Sequence, residues 1–318
     1  MHPAFSVIFF TVFSGTGYGL LALMGLSAAL GLLPRNAWLI GVGLIVGVAA
    51  VSAGLLSSTI HLGHPERAWR ALSQWRSSWL SREGVLAIAS YLPVGFLAYF
   101  LLLHPQGEQG SVAFWGTLTA VAATLTVYCT AMIYRSLETI HQWANQWTVL
   151  NYLLLGAAGG ALWLNVLMQG FGIAGSGAGV MALALVTAAW GAKTRYWRFI
   201  DSTSHPSTPE SATGLGGFGR VGMFESPHTS GNYLLKEMGF QIARKHSLKL
   251  RAYAHALAFL LPSVLLGLTL VVSGPFALVV AVLAALSITV GQLIERWLFF
   301  AEAKHVVMLY YGATRRSA

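Results

Sequence analysis

The chain has 318 residues, 56% of them hydrophobic and 9% charged, with a mean hydropathy of +0.65 and a formal net charge of +9. A soluble domain carries roughly 25% charged residues, so this composition excludes a water-soluble globule and indicates an integral membrane protein. The single cysteine, Cys129, excludes an internal disulfide and any iron–sulfur cluster held by four cysteines of this chain.

A membrane span needs about 20 apolar residues. Runs at approximately 5–33, 37–58, 85–103, 112–134, 147–170, 177–192, 252–273 and 276–300 predict an all-α bundle of eight transmembrane helices in one anchor domain, 1–318. Helices are required because backbone amides in lipid must be satisfied within the segment. The first run has no basic residue before it and is much longer than the roughly 7–15 residue core of a signal sequence, so it reads as a membrane helix. The sixth is the weakest, since it draws on the glycine-rich stretch 172–179 and ends in the basic, aromatic run 193–198. Gly43 and Gly47 form a small-xxx-small pair suited to close helix packing.

The connection 61–84 reads HLGHPERAWRALSQWRSSWLSREG and holds four arginines, three tryptophans, two histidines and two glutamates. Pro65 suits a first helical position. Trp69, Leu72 and Trp75 then follow at helical spacing, as in a short interfacial helix. Glu66 and Arg70 are four apart and are expected to pair. The only long connection, a basic loop at 194–251, begins with an irregular Ser/Thr/Pro-rich linker at 201–213. Its GLGGFG at 214–219 lacks the strand and helix of a nucleotide fold, and no nucleic-acid partner is expected. A basic helix at 233–251 then suits either membrane lipid or a soluble subunit.

Eight spans put 18 of the 19 basic residues, all but Arg35, on the side of the N-terminus, together with all acidic residues but Glu108. The positive-inside rule makes that side cytoplasmic, with both termini there and the chain in the inner membrane. Eight tryptophans, among them Trp143 and Trp197, lie near that side, against Trp38 and Trp115 near the other. An aromatic belt marks both interfaces, so the excess points to a surface that holds something. Arg67, Arg70, Trp69, Trp75, Lys245 and Arg251 are the docking candidates.

Charged groups at membrane depth are costly and usually functional. His61, His64, Arg82, Glu83, Tyr134, Arg135, His255, Glu295 and Arg296 converge at the basic end. Haem b needs two facing histidines, and only His61 with His255 offers such a pair. Quinone chemistry needs a donor titrating near neutrality, which suits His61, and a carboxylate relay, which suits Glu83. Taken alone, His61 also fits a capped helix end. A transporter is disfavoured by the lack of mid-span charge and of an inverted repeat, and a pure scaffold remains a third reading.

His61-Leu62-Gly63, Pro65, Arg67-Ala68 and Ser81-Arg82-Glu83 resemble the corresponding stretch of the dimethyl sulfoxide reductase anchor subunit (DmsC) family. His2, Phe10-Thr11, Tyr134-Arg135, Trp143, Trp147 and Gly291, Leu293, Ile294, Arg296 and Phe299 extend the resemblance along the chain. The wider NrfD-like quinone anchors carry a similar loop. The resemblance implies a subunit that tethers a molybdopterin catalytic subunit and a four-cluster iron–sulfur subunit. It also implies electron exchange with ubiquinone or menaquinone, without haem or cluster in this chain, and it assigns the quinone site to His61 and Glu83. Arg82, Arg135 and Arg296 join the site from their position. The basic face at the termini and the long loop, with 224–229 and Asn232-Tyr233, resemble anchors of cytoplasm-facing sulfite-oxidising (SoeC-like) complexes. Sulfite oxidation with quinone reduction is therefore the preferred expectation, and a quinol-oxidising anchor of a dimethyl sulfoxide reductase-like complex the alternative.

A reporter fused after Ala318 tests the orientation. Fluorescence from a cytoplasm-dependent reporter is expected, and activity of a periplasm-dependent one instead would invert the topology.

Overall fold

The computed structural model describes residues 3–60, 64–104, 109–173, 176–225, 238 and 242–311. His61 lies outside the described residues, as do residues 233–237 and 239–241 of the expected 233–251 helix, whose remainder from Ile242 is helical.

Apolar runs become helices, and the side chains of Asn36, Ser78 and Asn145 cap helix starts among them. Helix α1 spans Phe5–Ala29 and α2 spans Ala37–Thr59, with the Asn36 side chain accepting from the Leu39 amide at 3.0 Å. Helix α3, Trp79–Ala98, is capped by Ser78 and continues through a π turn, Tyr99–Leu103. The cap starts α3 six residues before the apolar run, so Arg82 and Glu83 lie in its first turns rather than ahead of it. Helix α4 spans Gln109–Arg135, and α5 spans Gln146–Gly170, capped by Asn145. Helix α6 runs unbroken through Ser176–Ser202, so the start of the expected long loop is helical. The linker contains a short helix α7, Pro209–Thr213, closed by Gly214 at φ +71°. Helix α8, Ile242–His255, enters a π turn at Ala256–Leu260 before α9, Leu261–Thr269. Pro262 has no amide to donate, which favours such a turn. The Leu257 carbonyl in the turn accepts the Ser287 hydroxyl at 2.8 Å. Helix α10 spans Gly274–Ala301.

Seven of the described helical segments are long and apolar enough to cross a bilayer: α1, α2, α3 with its π turn, α4, α5, His246–Thr269 and α10. The sixth expected span is α6. Its 27 residues extend about 40 Å, but glycines at one end and Lys193, Arg195 and Arg198 at the other dilute its apolar stretch, and it is not among the seven.

Helix α1 is the hub, packing on α2, α4, α5 and α10. Small residues permit this. A Cβ on Gly19 would stand 2.0 Å from the Gly156 carbonyl oxygen, and one on Gly160 would stand 2.2 Å from the Leu20 amide, so α1 and α5 meet backbone to backbone. Gly43 faces Met24, and Gly47 faces Leu21 and the backbone of Gly17, in line with the close packing expected there.

The connection after α2 folds as a 3-10 helix, Pro65–Gln74. With three residues per turn, positions four apart do not stack. The expected Glu66–Arg70 pair is replaced by Glu66 with His64 at 3.0 Å and Arg67 at 3.7 Å. Leu72 packs on Gly84 of α3, while Trp69 and Trp75 are 66% and 53% exposed.

The substitutions Gly19→Ala and Gly160→Ala are expected to destabilise the protein by about 1–3 kcal/mol, the range of overpacked cores. Gly95→Ala, whose Cβ meets nothing within 4 Å, should be close to neutral. Thermal unfolding of the purified protein in detergent ranks the three.

Candidate functional site

Buried ionisable groups gather at one end of the bundle. This end holds the N-terminus of α1 and the C-terminus of α2, joined by the Ser57 hydroxyl donating to the Ser6 carbonyl at 3.1 Å. It also holds the α4–α5 connection and the end of α10, where the Trp143 indole donates to the Phe299 carbonyl at 2.9 Å. The ends of α6 and α8 meet there too, through Asp201 and Arg251.

Glu83 is 4% exposed and accepts a hydrogen bond from the Thr130 hydroxyl of α4. Among the described residues no cation pairs with it. Tyr18 of α1 lies beside Ser90 and Thr126, within the field of Glu83. Its hydroxyl is buried without a partner in hydrogen-bonding geometry among the described residues. A carboxyl and a phenol thus share one internal face with unsatisfied polar capacity, a rare arrangement unless something else binds there.

Arg296 belongs to a second buried group. It makes two hydrogen bonds to Glu295, at 2.5 and 2.7 Å, and Glu295 also pairs with Lys193 of α6. All three side chains are at most 4% exposed. The Arg296 guanidinium lies over the rings of Tyr152, at 4.3 Å, and Phe299, at 4.8 Å. Lys193 lies over Tyr196 at 4.0 Å and Trp197 at 4.7 Å. Tyr134, Tyr152, Trp143, Phe299 and Phe300 form one aromatic cluster against this group. Tyr134 sits one turn beyond Thr130 on α4, and so connects the two groups.

The remaining candidates lie elsewhere. Arg82 stacks over Trp79 at 4.2 Å and donates to the carbonyls of Trp75 at 2.9 Å and Arg76 at 2.6 Å, which ties the loop to α3. Arg135 is exposed on the last turn of α4. Neither reaches Glu83. Arg67 and Arg70 are exposed with Trp69 and Trp75, as a docking surface requires. Lys245 lies on the backbone of α8. Arg251 is not a free docking cation: it holds Asp201 at 2.7 and 3.0 Å and Glu302 at 2.8 Å. His255 accepts the Trp190 indole proton on Nδ1 at 2.8 Å, which occupies one of its two ring nitrogens. The tryptophan excess has two sources, because Trp143 and Trp197 are buried core residues rather than surface ones.

Lys193 is hidden in the sequence by the basic run 193–198, which reads as one solvated cluster. Its helical phase with Tyr196 and Trp197, opposite Arg195 and Arg198, is the signal that could have found it.

The family model for the DMSO reductase anchor subunit (DmsC) matches residues 1–190. Over 329 aligned positions the sequence is 34% identical to the C subunit of the sulfite dehydrogenase of Allochromatium vinosum, covering 98% of this chain and 99% of that protein. Two Escherichia coli proteins match in part. The C component of the anaerobic dimethyl sulfoxide reductase is 27% identical, covering 38% of this chain and 42% of that protein. YnfH, also named as a component of an anaerobic dimethyl sulfoxide reductase, is 26% identical, covering 33% and 36%. No solved structure matches. Family model and full-length relative agree, and this multi-pass membrane protein belongs to the dimethyl sulfoxide reductase anchor subunit family.

Proposed function

We propose that the chain is the eight-span inner-membrane anchor of a molybdopterin oxidoreductase complex, and that it passes electrons from an iron–sulfur partner to a quinone. Sulfite is the electron source we assign, because the full-length relative belongs to a sulfite dehydrogenase and the basic face suits a cytoplasmic complex. The partners we assign are a four-cluster iron–sulfur subunit and a molybdopterin subunit. The exposed Arg67, Trp69, Arg70 and Trp75 offer a cationic and aromatic landing face to the iron–sulfur partner.

The observation that carries the quinone site is Glu83, a carboxyl at membrane depth with a hydroxyl donor and no ion-pair partner among the described residues. A structural carboxylate in such a place is normally paired. A carboxyl that exchanges protons must instead be left able to gain and lose one. Quinone reduction supplies the need, since each headgroup oxygen takes up a proton as electrons arrive. Glu83 passes one proton, the Tyr18 hydroxyl donates to the headgroup, and His61, which lies outside the described residues, acts at the second oxygen.

Measured in the intact complex in membranes, His61→Ala and Glu83→Gln are each expected to lower sulfite-to-decylubiquinone turnover at least ten-fold. Sulfite oxidation by ferricyanide, which bypasses the quinone, reports that the complex has assembled. Wild-type quinone turnover in both variants would reduce the chain to a scaffold.

A further inference from the structure

The Lys193–Glu295–Arg296 group and the residues on the basic face behind it are not used by the quinone site described above. Behind the group is a groove of about 960 Å³, lined among others by His141, Asp201, His205, Arg251, Glu302 and His305. Glu302 forms part of its wall. One carboxylate oxygen accepts from Arg251, and the other is buried with no partner among the described residues. Arg251 does not need that second oxygen, since Asp201 takes the open side of its guanidinium.

Trp197 joins this wall to the interior. Arg251 lies 5.5 Å from the centre of its ring and Lys193 lies 4.7 Å from it, so one indole separates the groove from the buried group. The Trp197 N–H is buried with no partner among the described residues. On the inner side, Arg296 and Tyr152 line a cavity of about 10 Å³ together with Thr11 and Gln292, about the space of one water. The Tyr152 hydroxyl, beside the Arg296 guanidinium, is again buried without a partner in hydrogen-bonding geometry among the described residues. Tyr152 stacks on Tyr134 at 5.7 Å, one turn from the Thr130 that holds Glu83.

Three buried polar atoms without a partner among the described residues, Glu302 Oε2, Trp197 Nε1 and Tyr152 Oη, thus belong to one series of contacts that runs from the groove through Arg251, Lys193, Glu295 and Arg296 to Tyr134, which lies within the field of Glu83. Ion pairing alone explains the triad but not the orphans. A water at each would satisfy it, and the cavity beside Tyr152 has about the space of one. We propose that this series is a proton path, entering at Glu302 from the groove, passing the Lys193–Glu295–Arg296 group and ending at the quinone bound by Glu83. The inference rests on the quinone-site reading. The quinone accepts two electrons from the iron–sulfur partner and two protons, one through Glu83 and one through His61, which water reprotonates. Glu83 is reprotonated along the path, and Glu302 is reprotonated by water in the groove, so the chain itself ends unchanged.

Burial pushes the Glu302 carboxyl above the ordinary carboxylate range, against the pull of Arg251 and Lys193. The groups around it are Arg251 from α8, Asp201, Lys193 and Tyr196 from α6, and Glu295 from α10. The α4–α5 connection adds His141 and Gln142, and the residues beyond α10 add Lys304 and His305. Burial lowers both His141 and His305 below the usual histidine value, so neither supplies a proton-donating limb above neutrality. Because the protonated form of Glu302 is the competent one, turnover falls as pH rises through its titration.

The test is sulfite-to-decylubiquinone turnover of the intact complex across pH 6 to 9. Glu302→Gln is expected to lower kcat about ten-fold, leave KM for decylubiquinone unchanged and flatten the alkaline limb, while Glu302→Asp recovers part of the rate. In Glu302→Ala, added formate should restore turnover several-fold, with no such gain in the wild type. A Glu302→Gln complex with wild-type kcat and pH profile, or Glu302→Ala unresponsive to formate, would overturn the path. If Glu83→Gln is inactive at the same time, the path fails and the quinone site stands; full activity in both variants fails both.

Discussion

A charge in hydrocarbon must have a partner, and the pairing of Lys193 and Arg296 around Glu295 is the constraint on which the basic end of the bundle depends. Removing one member of a buried ion pair costs about 3–5 kcal/mol, because the other is then left without water or counterion. The three residues come from two helices distant in sequence, α6 and α10. Their contact sets where those helices stand relative to each other. It also orders what surrounds them: Tyr152 and Phe299 cover Arg296, and Tyr196 and Trp197 cover Lys193. The Trp143 bond to the Phe299 carbonyl extends this order into the α4–α5 connection.

Glu83 stands on the other side of the aromatic cluster and obeys a different rule. It sits near the start of α3, has only Thr130 as a donor among the described residues, and lies where the loop over α3 comes down onto Gly84 through Leu72. The same helix start carries Arg82, whose hydrogen bonds to the Trp75 and Arg76 carbonyls hold the loop in place. One short stretch therefore provides a titrating group inside the bundle, a tie for the loop, and the exposed Trp69 and Trp75 on the outer face. The proposed electron transfer between a soluble partner and a lipid-dissolved quinone needs these three close together.

Helix existence was legible from apolar run length, and the shared face of the charges from their partition between connections. Helix ends were less so. Ser78 starts α3 ahead of its apolar run, and α6 carries helix well past the end of its apolar run at Ala192. Of the site, Glu83 and Arg296 could be read, the first from its motif and both from their place at the edge of a span. The role of Arg296 could not, because its partners Glu295 and Lys193 are defined by tertiary packing. Trp143 and Trp197 looked like surface residues by position alone, since position along a span says nothing about which face of a helix is buried. Glu66 and Arg70 failed to pair because their segment adopts three residues per turn.

The most direct measurement is the position of the quinone itself. In the assembled complex, an azido-substituted ubiquinone analogue is photolysed and the labelled peptides are sequenced. The account predicts label in the first turns of α3 and in the facing part of α4, near Glu83 and Thr130, suppressed by excess decylubiquinone. Competable label confined to the opposite end of the bundle, around His104 and Gln109, would contradict it.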